Sequence, residues 1–506
     1  MGHRVAMRRR DAAWLVLTAV IATMLGVALV LQPLLGAAAV GLLVVAGWLQ
    51  LCHRWPGLAL TVIIAIVVFS SHVFALAHVA GVPSSLIRPM IGAKDLLAWT
   101  LLAVLALRTM QQKRQAWAVP LLVGAFLSLC AVVYVLFDSP APLAVQLAAM
   151  RGASLPVLAL GCVALLSRDE RRRVAVASVY VVLAGAVYAL VELAFPRSFV
   201  SETVGVGRYW VEVKDQPLFV DPVTDLPGNF FTSAGFPRLT GTFGDPLSAG
   251  EVLGSALVLA VAHRSALRYP HLVILPITAA LLLTFTRNGW LLAAAGLTAL
   301  AALRYGVGRT LLRVAAAVVA LLLVTAVVRP LGDYIGKILS GEDASTLGHY
   351  SALEYSLQLF QSFPFFGYGW GTGGSAALNS FAEAVTAENA YVAVLTQTGW
   401  LVGTMLGILI LGLGHQAVRG QPLAAVGATV LLVQAVTAFI SENVLTFNAG
   451  FFPFLTAGLV AAADPVRELI ERPFPLAAHG RSSPEGRSSP RTRPVGRWTP
   501  ASPAGT

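Results

Sequence analysis

Charge is what this sequence has least of. Asp, Glu, Lys and Arg together make 12% of the 506 residues, about half the share carried by ordinary soluble domains, which excludes a water-soluble globule of this length. Cysteine is almost missing as well: Cys52, Cys130 and Cys162 all fall inside apolar runs and form neither a Cys-x-x-Cys pair nor a zinc-ligand spacing. Neither a disulfide framework nor a metal centre is therefore expected, and no motif calls for a cofactor. What is plentiful is apolar surface, at 57% of the chain with a mean hydropathy of +0.76. About fourteen spans of roughly 20 residues would take up around 280 positions, and 57% of 506 is about 288.

The expected fold class is all-α, a polytopic integral membrane protein of about fourteen transmembrane helices, twelve to fourteen being plausible, with two large polar segments. A basic N-terminus (1–11) precedes an apolar run at 12–31, read as a retained first helix rather than a cleaved leader because a second span follows at once. Helices one to seven fill 12–195, at 12–31, 34–51, 57–80, 91–108, 117–137, 144–166 and 174–195. A first polar segment (196–245) leads to spans at 246–263, 270–285, 289–304 and 310–328, the group 246–328. A second polar segment (329–388) precedes spans at 389–414, 421–440 and 445–463. The Arg-, Ser- and Pro-rich tail (464–506), with its tandem Gly-Arg-Ser-Ser-Pro, reads as disordered.

With the N-terminus placed in the cytoplasm, the cytoplasmic segments hold 25 Lys and Arg against 7 Asp and Glu, and the remainder holds 10 against 17. The positive-inside rule is then met at every turn, so the net charge of +11 is a signal of topology and not of nucleic-acid binding. Both termini are expected in the cytoplasm. Both long polar segments face outward, where neither ATP nor a nucleotide sugar is available.

Charge inside a span costs about 2.5–3.5 kcal/mol at the helix centre, so each instance asks for a reason. Lys94, Asp95, Arg151, Glu192 and Glu251 all fall in the outer third of their spans, which points to one water-accessible basin opening outward; snorkelling accounts for Lys94 and Glu192 but poorly for Arg151. Three arginines oppose the positive-inside trend: Arg151, Arg238 in Pro-Arg-Leu-Thr-Gly-Thr-Phe-Gly-Asp-Pro, and Arg287 in Thr-Phe-Thr-Arg-Asn-Gly-Trp. A guanidinium keeps its charge and forks onto phosphate oxygens, so the set suits a lipid-linked phosphate or diphosphate. The competing explanation for each is pairing with Asp245, Glu251 or Asp95.

In the second polar segment, Leu353, Leu357 and Phe360 make one apolar stripe between Ser345 and Phe363, an amphipathic helix ended by Pro364. Glycines follow at 367, 369, 371, 373 and 374. Their spacing suits either a backbone anion cradle around Gly367 and Gly369 or a flexible loop, and it lacks the P-loop Lys-Ser/Thr. Glu388 and Asn389 then open a span. Glu388 fits the first turn, where the helix dipole favours a carboxylate, and there it is a candidate base for a sugar hydroxyl. His349 is an alternative base.

Taken in order, Arg151-Gly152, Arg238 with Gly-Thr-Phe-Gly-Asp-Pro, Thr286-Arg287-Asn288-Gly289, the loop from Pro364 to Gly374 and the Glu388-Asn389 helix start resemble the O-antigen ligase and O-antigen polymerase family of bacterial membrane glycosyltransferases. The likeness runs over roughly residues 90–460. It implies a helical fold of the lipid-dependent, GT-C-like glycosyltransferase type in the bacterial plasma (inner) membrane, with its active site extracytoplasmic. It also implies an undecaprenyl-diphosphate-linked oligosaccharide as donor, a glycan, lipid or wall anchor as acceptor, and a role in exopolysaccharide or other cell-surface polysaccharide synthesis. Carried over by position, Arg238 and Arg287 hold the diphosphate with Arg151 a third contact, while Asn389, Asp245, Gly367 and Gly369 support the site. The ligases place a histidine before the asparagine that opens this helix, and here that position is Glu388; His349 stands where an arginine is often found. The Glu388 departure looks more like the exopolysaccharide polymerase branch. The resemblance implies metal-independent chemistry, with fixed arginines meeting the developing charge. The alternative reading is a transporter or flippase of lipid-linked oligosaccharide, which shares the spans and the buried charges but usually places its site at the midplane. A peptidoglycan polymerase is less well matched, since its usual acidic outer-loop motif is missing.

Overall fold

In lipid an apolar segment has to satisfy its own backbone hydrogen bonds, and a helix does so within one segment. The computed structural model describes residues 33–112, 117–136, 138–196, 198–214, 220–221, 225–232, 236–327, 354, 357–358, 360–373, 389–439, 441, 445 and 450–464. Its main helices are α1 (Pro33–Arg54), α2 (Pro56–Val79), α3 (Ser84–Gln111), α4 (Ala118–Leu136), α5 (Leu143–Leu165), α6 (Arg168–Glu192), α7 (Pro246–Ala262), α8 (Pro270–Leu283), α9 (Arg287–Tyr305), α10 (Val307–Val327), α11 (Ala390–Val418), α12 (Ala424–Thr437) and α13 (Phe452–Ala461). Among the described residues six of these, α2 to α6 and α11, are long and apolar enough to cross a membrane, and α7, α8, α12 and α13 are shorter apolar helices. The chain is a multi-pass, all-α membrane protein. The expected first span at 12–31 and the tail beyond Asp464 lie outside the described residues.

Burial follows the lipid logic. Continuous runs are buried in α5 (Gly152–Val163) and α7 (Ser248–Ala260), and α13 is buried over nearly all its length. Helices around them leave apolar side chains outward, with Leu121, Leu312 and Leu411 each more than 70% exposed. A rim of that kind is a liability in water and the normal surface of a protein in lipid.

One close approach in the core is made by glycine. Gly250 and Gly254 on α7 form a small-xxx-small pair, and a Cβ built on Gly289 of α9 would stand 2.3 Å from the Gly250 carbonyl oxygen. One on Gly254 would stand 2.4 Å from the Gly289 carbonyl. Backbones meet directly where lipid supplies no hydrophobic drive between helices and packing has to. The glycine of Thr-Arg-Asn-Gly is thus a packing residue. Gly289→Leu is expected to cost about 3 kcal/mol or more through overpacking, read as a lowered melting temperature of the detergent-purified protein; wild-type melting would mean that the two helices part without loss.

At the basic end of the bundle, Ser167 and Glu170 close a capping box on α6. The run 168–173, expected in a turn, therefore forms the first turns of that helix. Arg171 is buried and donates to the carbonyls of Leu166 (3.1 Å), Ala164 (3.0 Å) and Ala417 (2.6 Å). It closes the carbonyls left open where α5 and α11 end. Arg172 meets Asp464 at 2.9 Å, tying α6 to the end of α13.

Candidate functional site at the loop end

The opposite end carries the 196–245 segment and the loop 360–373. Here the run around Arg238 becomes legible as a helix start. Gly241 and Gly244 take φ of +53° and +88°, left-handed values that favour glycine. Asp245 then caps α7, accepting from the Ser248 N–H at 2.8 Å, with Pro246 in the first turn. Aspartate before proline is a strong N-terminal signal.

Arg238 turns its guanidinium toward the chain. Its Nε donates to the Thr284 carbonyl (2.8 Å), Nη1 to the Asn229 carbonyl (3.2 Å) and Nη2 to Thr286 Oγ1 (3.0 Å). Thr286 Oγ1 in turn donates to the Pro246 carbonyl at 2.7 Å. Arg238 thereby fixes the tight connection from α8 to α9, where Phe285 stands at φ +50°. Arg287 comes next as the first residue of α9, where orphan N–H groups and the helix dipole favour an anion.

A second cluster lies on α3, α5 and the first polar segment. α3 begins at Ser84, seven residues before the expected boundary at 91, so Lys94 and Asp95 lie about 15 Å along the helix and are buried. Arg151 Nε meets Asp95 Oδ2 at 3.3 Å, one of the three pairings the sequence left open. Half-buried Lys214 stands close enough to feel the charges of both Arg151 and Asp245, and Lys94 feels Asp95, Arg151 and Lys214. Lys214 Nζ lies over the Trp210 ring, 3.8 Å from its centroid, a cation–π contact that holds it in place. Burial brings the Lys214 ammonium down from the usual lysine range to about 8, with Asp245 opposing the shift and Arg151 adding to it. Three cations thus share this cluster with two carboxylates. Asp245 links it to Glu251, which lies within reach of the Asp245 charge and is hydrogen-bonded by Gln434 and Asn288. Glu192 is turned to Thr240, whose Oγ1 donates to it at 3.3 Å.

Glycines 367 to 371 follow neither of the two expectations for them. Gly367 N donates to Phe363 O (3.0 Å) and Gly369 N to Gln397 O (3.0 Å). Gly371 N donates to Gln397 Oε1 at 2.8 Å. These N–H groups are engaged by the chain itself, so the loop is an anchored plug and not an open anion cradle. Its socket is a break in α11, where Gly399 has φ +70° and ψ 169°. The break frees the Thr396 carbonyl for Tyr368 N (2.7 Å) and the Trp400 N–H for the Pro364 carbonyl (2.8 Å).

Asn389 caps α11, accepting from Val392 N at 3.1 Å and donating to the Phe439 carbonyl at 2.8 Å. Because the helix starts at Ala390, Glu388 precedes the cap instead of occupying the first turn. Glu388 and His349 lie outside the described residues, as does most of the expected amphipathic helix; Leu357 and Phe360–Ser362 are helical within it. Sequence reasoning missed Lys214, Gln397 and the break at Gly399. Lys214 was open to the argument applied to the arginines, since it too is a cation on the side expected to be poor in them.

The fold and this end of it define a multi-pass helical membrane protein with a recessed cationic cluster and an anchored glycine loop. Residues 272–407 match the family model described as O-antigen ligase. The chain carries an O-antigen ligase family domain over that stretch, which contains Arg287, the glycine loop, Asn389 and Gly399. That match supports a membrane function of the O-antigen ligase and polymerase type, in polysaccharide biosynthesis. No curated protein matches the chain.

Proposed function

We propose that the protein is a membrane glycosyltransferase that takes a glycan from an undecaprenyl-diphosphate carrier at the extracytoplasmic face of the bacterial plasma membrane and passes it to a glycan, lipid or wall acceptor. The observation that carries this reading is the cluster of Lys94, Arg151 and Lys214, recessed at the loop end of a lipid-embedded bundle, a place suited to the diphosphate of a lipid carrier. Arg287 adds its charge at the start of α9, and Arg238 holds the turn that presents it. The glycosyl bond to the diphosphate breaks as the acceptor hydroxyl attacks the anomeric carbon from the opposite side. The electron pair leaves on the diphosphate, where fixed cations stabilise it without a divalent ion. The hydroxyl proton passes to Glu388, with His349 the alternative acceptor, and Asn389 fixes the helix start beside Glu388. In-line attack inverts the anomeric centre.

The break in α11 favours a second reading, a transporter or flippase, because discontinuous helices build transporter sites. Its socket is filled by residues 364–371, and the charges cluster at one end instead of the midplane. Catalysis is the better account.

Transfer by the reconstituted protein with a lipid-linked donor, assayed in EDTA across pH, tests it. Lys214 loses its charge as pH rises through about 8, so the donor KM is expected to climb above that pH. Lys214→Arg should flatten the climb. The folded-state pKa lies below the unfolded one, so the unfolded chain binds more protons over that window and stability rises with pH. A loss of activity through unfolding therefore predicts the opposite sign. No transfer at any pH, or a strict need for added divalent metal, contradicts the mechanism.

A further inference from the structure

We infer that Asp95 is a sugar-binding residue, whose free carboxylate oxygen accepts a hydrogen bond from a hydroxyl of the sugar attached to the diphosphate. The inference rests on the function proposed above. Asp95 is only 7% exposed. Its Oδ2 is paired with Arg151 at 3.3 Å, while its Oδ1 is buried with no hydrogen-bond partner among the described residues. An ionised carboxylate oxygen left bare in a buried place carries its full desolvation penalty, so its retention calls for a ligand that completes it.

The surroundings narrow the chemistry of that ligand. Lys94 and Arg151 lie beside Asp95 and already balance its charge, and a further cation would meet their repulsion. An anion is refused by the carboxylate itself. What remains is a neutral donor, and a glycan brings hydroxyls. The same cations that suit a diphosphate flank the carboxylate, which places the accepting oxygen next to the carrier's first sugar and not at the far end of the chain. Asp95 is a binding and positioning group here, not the base, its Oδ2 being engaged by Arg151 and its Oδ1 left to accept from the sugar. It lets one site tell a loaded carrier from the spent one: the cations hold the diphosphate of both, and only the loaded carrier completes Asp95.

Binding reads this directly. Full-length protein in lipid nanodiscs is titrated with a short-chain isoprenyl diphosphate and with the same lipid carrying one hexose, for wild type and Asp95→Asn. Wild type is expected to bind the glycosylated lipid roughly tenfold more tightly. In Asp95→Asn that preference falls to near unity, while the bare diphosphate binds as well as before or better, since a negative charge has gone. A role in electrostatics or folding alone would move both ligands the same way, and an unchanged ratio overturns the inference. Asp95→Glu is the companion variant, keeping the charge and moving the free oxygen; it is expected to lower the preference and spare the bare diphosphate. If wild type binds the bare diphosphate with no preference for the sugar, the subsite is refuted and the proposed function stands. If it binds neither lipid, both fall.

Discussion

Arg287→Ala is expected to lower glycan transfer by about 10²–10³-fold, the scale on which removal of one fixed charge-stabilising donor acts, and to leave the protein folded. Arg287 is the first residue of α9, and Ala is a good helix former at that position. The bond from Thr286 to the Pro246 carbonyl and the approach of Gly289 to Gly250 are left in place by the substitution. Arg287→Lys should recover only part of the rate, because an ammonium lacks the planar fork that fits two phosphate oxygens. Arg238→Ala gives the contrast. It removes the bonds to Thr284, Asn229 and Thr286, so its loss of activity is accompanied by a lower melting temperature. Comparing transfer rate with melting temperature across the three variants separates a charge that acts on the substrate from one that holds the fold. Full activity in Arg287→Ala would put the diphosphate elsewhere.

Glu388→Gln is expected to abolish transfer and keep donor binding. The substitution retains the size and the hydrogen-bonding reach of the side chain and removes its capacity to take a proton. General-base removal costs about 10²–10⁴-fold. Donor affinity should be unchanged, since the cations sit on α3, α5, α9 and the first polar segment. Active Glu388→Gln together with inactive His349→Ala would exchange the two roles.

Much of this was readable in the residues, and the particular differences have physical causes. Helix positions followed from apolar runs, because lipid requires closed backbone bonding along each one. The boundaries moved where a polar residue is part of the helix: Ser167 and Glu170 cap α6 six residues ahead of the expected start at 174, and α3 runs back to Ser84 through Pro89. The counter-trend arginines lie at the end of the bundle that carries the first polar segment and the glycine loop. Their individual partners were not legible, since Arg238 makes its bonds with carbonyls presented by the α8–α9 turn and any carbonyl looks alike in a sequence. The glycine loop was misread for a related reason. Glycine permits close backbone approach, but the sequence does not say what approaches; here Gly367 and Gly399 admit the backbones of the loop and of α11 to each other. Lys214 could have been singled out as a cation against the charge trend, but its neighbours Asp245 and Arg151 are visible only in the fold.

The most direct test of the central claim is the size distribution of lipid-linked and envelope glycans in a deletion strain of the native host, complemented with wild type or with Glu388→Gln. Wild type should restore the envelope polymer. The Glu388→Gln strain should accumulate glycan on the polyprenyl carrier, as single repeats if the protein polymerises and as full-length chains if it ligates. Envelope and carrier-bound glycans that are the same in all three strains would contradict the account.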